Sequence, residues 1–297
     1  MHKYRSFVLP IAIILGLIFH NWCGKISVIV PFLIFLMLLL NFAAVNVRKL
    51  HFSWLFVWLM LFQIVVSLGS YYLLRWLNIN NVVAEGVLVS ILCPVASSVV
   101  VIACMLGADR ETVTAYSIWG NLMVAAVAPV YFSFIGRHQD MPFFESFWQI
   151  LCKISPIIIL PFFIILLLQF CLPKVNHWLS ERKGWAFYFW AVALLLVLGK
   201  TFDFLFVSEN TNIKIIIDLA IAAMIICAIQ FAVGKLLGKK YGDTIAGGQL
   251  LGQKNTAFGI WMSNVYLNPM SSLCIAFYAI WQNLFNSWQL WRHDHKE

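Results

Sequence analysis

The sequence predicts an all-α polytopic membrane protein, and three observations carry that reading. Of 297 residues, 62% are hydrophobic and 11% charged, against about 45–50% and about 25% in soluble domains. The mean hydropathy is +0.88. The apolar residues fall in continuous runs long enough to cross a bilayer as helices, not in the alternating segments of about ten residues that mark a transmembrane barrel. Folded in water, the chain would have too few charges to cover its apolar surface.

About ten spans follow from a window of about 19 residues. The first, roughly 7–22, comes after Lys3 and Arg5. Only His20, Asn21, Trp22 and Cys23 follow it, with no small-x-small cleavage site, so it reads as a span and not as a signal peptide. The second and third cover roughly 26–45 and 53–74. The fourth, roughly 84–106, contains Pro94, and the fifth, roughly 112–135, carries Ser117 and Asn121. The sixth, seventh and eighth, roughly 149–171, 185–207 and 214–237, are strongly apolar. The polar ninth and the tenth complete the set at roughly 244–266 and 270–291.

Positive charge orients this bundle. With the N-terminus inside, 13 of the 20 Lys and Arg residues fall on cytoplasmic segments, among them Lys3, Arg48, Lys49, Arg110, Lys239, Lys240 and Lys296. Six, including Lys25, Arg137, Lys153 and Lys200, fall on the other side. That bias puts both termini in the cytoplasm and favours an even number of spans. The spans divide into 1–140 and 146–297, five in each half. Five is odd, so the halves enter from opposite sides, the inverted-repeat plan of many secondary transporters.

The two halves share an interrupted fourth member. In the first, Pro94 removes a helix donor and clashes with the preceding turn, and Ser97 and Ser98 follow. In the second, Gly247, Gly248 and Gly252 precede Gln253, Lys254, Asn255 and Thr256. Unwound backbone in hydrocarbon is tolerated only inside protein or beside a wet cavity. A matched pair of Gly/Pro-interrupted spans therefore points to a midplane site for an ion or a polar substrate.

These residues carry a resemblance to the bile acid:sodium symporter family, within the superfamily that includes arsenite and auxin exporters. It rests on the ten-span plan, Cys93-Pro94, Gln253 to Thr256, the run Leu38 to Phe42, Gln63, and Ala128-Pro129. The resemblance implies a panel domain of spans 1, 2, 6 and 7 and a core of spans 3–5 and 8–10, in which the broken fourth and ninth helices cross. It implies sodium-coupled uptake of organic anions such as bile acids, steroid sulfates or keto acids. The site residues it implies are Gln63, Ser97, Ser98, Ser117, Asn121, Gln253, Lys254, Asn255 and Thr256.

The sequence departs from that family at the sodium ligands. Sodium-coupled members carry Glu-x-x-x-Gln-Asn-Ser/Thr in the ninth span; here the acid position is Leu250 and the amide position Lys254. The Ser-Asn that follows the fourth-span break there is Val99-Val100 here. Hard cations need oxygen ligands, preferably with a carboxylate, and no metal site is expected. A midplane lysine costs about 2.5–3.5 kcal/mol on insertion scales, so Lys254 reads as functional: a tethered cation in the place of sodium, whose protonation would drive transport.

Other classes fare worse. The seven cysteines are scattered without a CxxC pair and read as small hydrophobes. The net charge of +8 is dispersed, which argues against nucleic acid. No Asp, Glu or His cluster supports an enzyme, no cofactor is implied, and no filter-like repeat supports a channel. Lys200 with Asp203, and Lys214 with Asp218, are spaced to pair on one helix face. Asn41, Gln230, Gln282, Asn283 and Asn286 read as interhelical hydrogen-bonding residues. The expected function is secondary transport of a small organic anion across the plasma membrane, independent of sodium. The alternatives are an ordinary sodium symporter, a non-transporting receptor, and an arsenite-type exporter using Cys93.

Overall fold

Several helical elements in this protein begin where the sequence supplies a side-chain acceptor for an orphan N–H. Ser53 accepts from the Leu55 amide, Asn80 from Val82, Asn212 from Lys214, Asp243 from Ala246 and Asn268 from Met270. A computed structural model describes residues 11–45, 52–96, 98–136, 141–207 and 212–295. Ser97 lies outside the described residues, as do Lys3, Arg48, Lys49, Arg137 and Lys296 of the charge count.

The described residues are mostly helical. Residues 11–18 (α1) lead into α2 (His20–Ile26), a 3-10 turn at Ser27–Ile29, and α3 (Val30–Ala43). Then come α4 (Trp54–Trp76), α5 (Asn81–Leu92), α6 (Val99–Met105), α7 (Arg110–Phe134) and α8 (Phe143–Cys171). The rest are α9 (Pro173–Glu181), α10 (Trp185–Val207), α11 (Ile213–Lys240), α12 (Thr244–Gly252), α13 (Thr256–Tyr266) and α14 (Ser272–Asp294).

Among the described residues, six segments are long and apolar enough to cross a bilayer: His20–Ala43, Trp54–Trp76, Arg110–Phe134, Phe143–Cys171, Trp185–Val207 and Ile213–Lys240. The expected fourth and ninth spans are pairs of short helices, α5 with α6 and α12 with α13. The expected tenth is α14, whose apolar pattern is diluted by Gln282, Asn283, Asn286 and Gln289. The connection after α8 holds a short helix, α9, outside the ten expected spans. It has Pro173 in its first turn and no buried residue. Just past its end, the Arg182 guanidinium lies 3.8 Å from the Trp178 ring centroid, a pairing suited to a membrane–water interface.

The chain divides into two compact units. One comprises Met1–Lys49, Ala125–Thr211 and Ile260–Ser272; the other comprises Leu50–Val124, Asn212–Gly259 and Leu273–Glu297. In the first, α1 and α2 lie along α10 through small residues. A Cβ on Gly16 would sit 3.1 Å from the Gly199 nitrogen, and His20 Nδ1 is 3.0 Å from an Asp203 oxygen. At the far end of α3, Gln169 and Asn176 donate to the carbonyls of Val45 and Ala43. Elsewhere in this unit Thr201, Asn264 and Ser272 form a buried hydrogen-bonded group, with Thr201 and Ser272 hydroxyls 2.8 Å apart.

In the second unit, α11 packs on α12 backbone to backbone. Gly234 and Gly238 face Gly247, and a Cβ on Gly247 would lie 2.7 Å from the Gly238 Cα. Small residues are what allow helices to approach so closely in a membrane. A core of Leu55, Phe56, Leu59, Val95, Val113, Tyr116, Leu250 and Leu251 fills the space between α4, α7, α12 and the first break. This packing fixes the positions of both helix breaks.

Candidate functional site

Both breaks lie within the second unit, and there they meet. α5 stops at Leu92, with Cys93 already extended at ψ 136°. α12 stops at Gly252, and Gln253 is extended in turn. The two unwound segments pair as an antiparallel bridge between Val95 and Lys254. The Ala96 amide donates to the Gln253 carbonyl at 3.1 Å, and the Asn255 amide to the Pro94 carbonyl at 2.8 Å. Pro94 thus has no amide to satisfy but lends its oxygen to the other break. Each interrupted helix supplies the hydrogen bonds that the other lost, which meets the demand for internal satisfaction in hydrocarbon.

Lys254 is the pivot of this crossing. Its side chain is 1% exposed, and Nζ donates to the Ile91 carbonyl at 2.9 Å. Ile91 sits in the last turn of α5, whose terminal carbonyls carry the negative end of the helix dipole. Gln63, from α4, donates to the same Ile91 oxygen and to the Cys93 carbonyl, both at 3.2 Å. The Tyr116 hydroxyl donates at 2.8 Å to Gln63 Oε1 and so sets the orientation of that amide. Among the described residues no carboxylate lies within ion-pair distance of Lys254.

The second break is held from α14 and α11. The Lys254 amide donates to Gln282 Oε1 at 2.9 Å, and Gln282 Nε2 donates to the Lys254 carbonyl at 3.4 Å. Tyr278 donates to the Gly252 carbonyl at 2.7 Å and accepts from Gln230 at 3.1 Å. Asn255 Oδ1 accepts from the Phe258 amide and opens α13. The Cys93 thiol donates to the Asn255 carbonyl at 3.0 Å; it is buried and serves the crossing as a structural donor. Gln253 donates to Gln249, which in turn reaches Gln289 at 3.4 Å, while Ser98 donates to Gln253 Oε1 at 3.4 Å.

The structure therefore brings together Gln63, Pro94, Ser98, Gly252, Gln253, Lys254 and Asn255, with Thr256 buried beside them as the first residue of α13. Ser117 and Asn121 form their own ladder on α7: Ser117 donates to Val113 at 3.0 Å, and Asn121 to the Ser117 carbonyl at 2.5 Å. Among the described residues, Asn121 Oδ1 is buried without a hydrogen-bond partner. Sequence reasoning missed Tyr116, Gln249 and Tyr278. It also placed Gln230 and Gln282 among generic interhelical contacts. The available signal was spacing: Tyr278, Gln282 and Gln289 fall four and seven residues apart, on one face of α14.

The donor set fits a sodium ion poorly. The position expected to hold a carboxylate is Leu250, fully buried in the apolar core. The carbonyls of Ile91, Cys93, Pro94, Gly252, Gln253, Lys254 and Asn255 each already accept from a protein donor. What the arrangement offers instead is one buried lysine amine donating among satisfied oxygens.

No curated protein matches the chain. A family model does, over residues 25–290, and it takes in both breaks and every helix from α3 to α13. With that coverage, the chain belongs to the SBF-like CPA transporter family (DUF4137).

Proposed function

We propose that this family member is a secondary active transporter of a small organic anion that works by alternating access without sodium. The observation that carries the reading is the 2.9 Å hydrogen bond from Lys254 Nζ to the Ile91 carbonyl. A tethered ammonium occupies the C-terminal oxygens of α5, the chemistry that a bound cation would otherwise satisfy. Proton exchange at Lys254 then supplies the coupling, and its positive charge supplies attraction for an anionic substrate of the bile-acid, sulfate-ester or keto-acid type.

The proposed architecture has ten transmembrane helices in inverted halves, 1–140 and 146–297, with the two broken helices crossing in the core. Both termini lie on the cytoplasmic side of the plasma membrane, a placement supported by the asymmetry of Lys and Arg. Ordinary sodium symport is the second reading, and one observation favours it. Among the described residues the buried Oδ1 of Asn121 has no partner, and such an oxygen suits a hard cation.

The test is uptake of candidate anions into proteoliposomes under either a sodium gradient or a pH gradient, with the wild type and Lys254→Gln. The expected result is uptake that follows the pH gradient, ignores sodium and collapses in the variant. Uptake that requires sodium and survives Lys254→Gln would overturn the proposal.

A further inference from the structure

Among the described residues, Lys254 is the buried lysine and Glu85, 3% exposed, is the buried carboxyl group. Both belong to the second unit and both bear on α5. Lys254 holds the Ile91 carbonyl in the last turn of that helix. Glu85 lies six residues earlier, about 9 Å along the axis at helical rise. The transport reading uses the amine at one end of this half-helix and leaves the carboxyl near the other end without a role.

The surroundings of Glu85 are organised. Asn81, one turn earlier on α5, donates from Nδ2 to Glu85 Oε1 at 2.7 Å. Its Oδ1 accepts from the hydroxyl of Tyr71, a buried residue of α4, at 3.0 Å. The tyrosine thus fixes the amide with its N–H toward the carboxyl. Asn80, just before α5, is exposed, and Asn81 is partly so, which leaves Glu85 about one turn from the polar end of the element. Tyr71 lies within electrostatic range of both Glu85 and Arg75. Arg75 turns to the Ile79 carbonyl at 3.3 Å, and Tyr72 meets the ring of Tyr71. Also packed on α5 is α11, with Lys214 and Asp218 in its first two turns and Cys227 in its middle. From α14, Cys274 reaches Ser90 of α5.

A carboxylate inside a span is costly and marks function by default. Binding a proton removes the charge and keeps Oε1 as an acceptor for Asn81, while the acid gains an O–H donor. Both states therefore fit the same Tyr71–Asn81 support, as a reversible proton site requires. A hard cation needs several oxygens, whereas Asn81 presents an N–H to this carboxyl.

We propose that Glu85 is a reversible proton-binding site, the second of the transport cycle, near the end of α5 opposite Lys254. Its place in the cycle rests on the proton-coupled reading above. It exchanges with the solution at the α4–α5 connection, the external side in the proposed orientation. The carboxylate takes one proton to give the neutral acid and later returns it, and no other bond forms or breaks.

The probe is the proton itself. The full chain in lipid is titrated while infrared absorption of protonated carboxyl groups is recorded for wild type, Glu85→Gln, Glu85→Asp and Asn81→Ala. Glutamine still accepts from Asn81, so the unfolding temperature of Glu85→Gln should stay close to that of the wild type. The expected result is a protonated-carboxyl absorption at neutral pH that is absent from Glu85→Gln and present in Glu85→Asp. Asn81→Ala, which keeps the carboxyl, should shift the pH at which it appears, and carries the test if Glu85→Gln does not fold. Identical spectra for wild type and Glu85→Gln, or an absorption unmoved in Asn81→Ala, would overturn the proposal. Loss of the absorption in sodium relative to choline chloride would also overturn it, by making Glu85 a cation ligand.

Uptake separates this inference from the reading beneath it. Glu85→Gln should lose the response of uptake to the pH gradient. If its response matches the wild type, the role of Glu85 falls and that of Lys254 stands. If wild-type uptake ignores the gradient while the absorption is still assigned to Glu85, the coupling through Lys254 falls and the proton site stands.

Discussion

Replacing Lys254 with methionine should make the protein more stable and inactive at once. The ammonium carries three N–H groups, and among the described residues its protein acceptor is the Ile91 carbonyl alone, at 2.9 Å. A charge-assisted hydrogen bond contributes about 1.5–3 kcal/mol, and the end of a helix dipole adds up to about 2 kcal/mol in partly buried geometry. Against these stands a desolvation cost of several kcal/mol for an ion without a counter-charge. Methionine matches the length and volume of the stem, and Gln63 still donates to Ile91 at 3.2 Å, so that oxygen is not orphaned. The balance favours the variant, in line with buried charges whose apolar replacement stabilises by about 1–4 kcal/mol. Intrinsic fluorescence of the 13 tryptophans follows unfolding in detergent, and at about 2–4 °C per kcal/mol the unfolding temperature should rise by several degrees. Proteoliposome uptake should be lost. A drop of several degrees would refute the reasoning, because it would make Lys254 a structural fastener whose hydrogen bond outweighs its desolvation.

Two further outcomes follow from the second unit. Gly247→Ala should destabilise by about 1–3 kcal/mol, since its Cβ would press on the backbone of Gly234 and Gly238; Gly69→Ala, with nothing within 4 Å of its Cβ, should stabilise by about 0.4–1 kcal/mol, and unfolding temperatures compare the two. Asp243, in the connection before α12, caps that helix through the Ala246 amide at 3.1 Å. Burial pushes its carboxyl above the ordinary value, and nearby Asp109 adds to the rise while the Ala246 hydrogen bond opposes it. The folded state therefore holds this proton more tightly than the unfolded chain, whose aspartate titrates near about 3.9. Stability from this group is greatest at low pH and falls as pH climbs from the unfolded value through the raised folded one. Asp243→Asn should flatten that slope and keep the cap, whereas Asp243→Ala should cost about 0.5–2 kcal/mol; unfolding midpoints from pH 4 upward separate the three proteins.

Much of this was legible in the sequence because lipid leaves the backbone few options. Continuous apolar runs must be helices, and Pro94 and Gly252 could only mark places where helices fail. What periodicity could not supply was the partner of each failure. The pairing of Val95 with Lys254 joins residues far apart in the chain, and no local propensity encodes it. Hydropathy also says little about what α14 does. The same glutamines that lower its apolar score serve the second break: Gln282 exchanges hydrogen bonds with the Lys254 backbone, and Gln289 accepts from Gln249. Tyr116 and Tyr278 were invisible for a related reason, since a tyrosine in an apolar run reads as bulk until its hydroxyl is seen on Gln63 or on Gly252. The short α9 escaped because a helix with no buried face leaves no apolar stripe to find.

The accounting of oxygens at the crossing leads to one more expectation. The carbonyls of Ile91, Cys93, Pro94, Gly252, Gln253, Lys254 and Asn255 already accept from protein donors, so a cation that takes these oxygens competes with those donors. Gln63, Gln282 and Tyr278 are neutral, and exchanging a neutral donor for an ion would add a second positive charge beside Lys254. Displacing the Lys254 ammonium itself conserves charge. On the proposed reading, sodium and the lysine side chain compete for the same oxygens, and Lys254→Ala should expose a sodium response that the wild type lacks. At ten times its dissociation constant, a ligand specific for the folded state adds about 1.4 kcal/mol. The comparison is unfolding temperature in sodium against choline chloride, at equal ionic strength, for both proteins. A sodium-dependent rise in the variant alone fits a lysine that stands in for an ion. A rise in the wild type that vanishes in Lys254→Ala would show instead that the ammonium supports an ion site elsewhere, and the tethered-cation account would have to be abandoned.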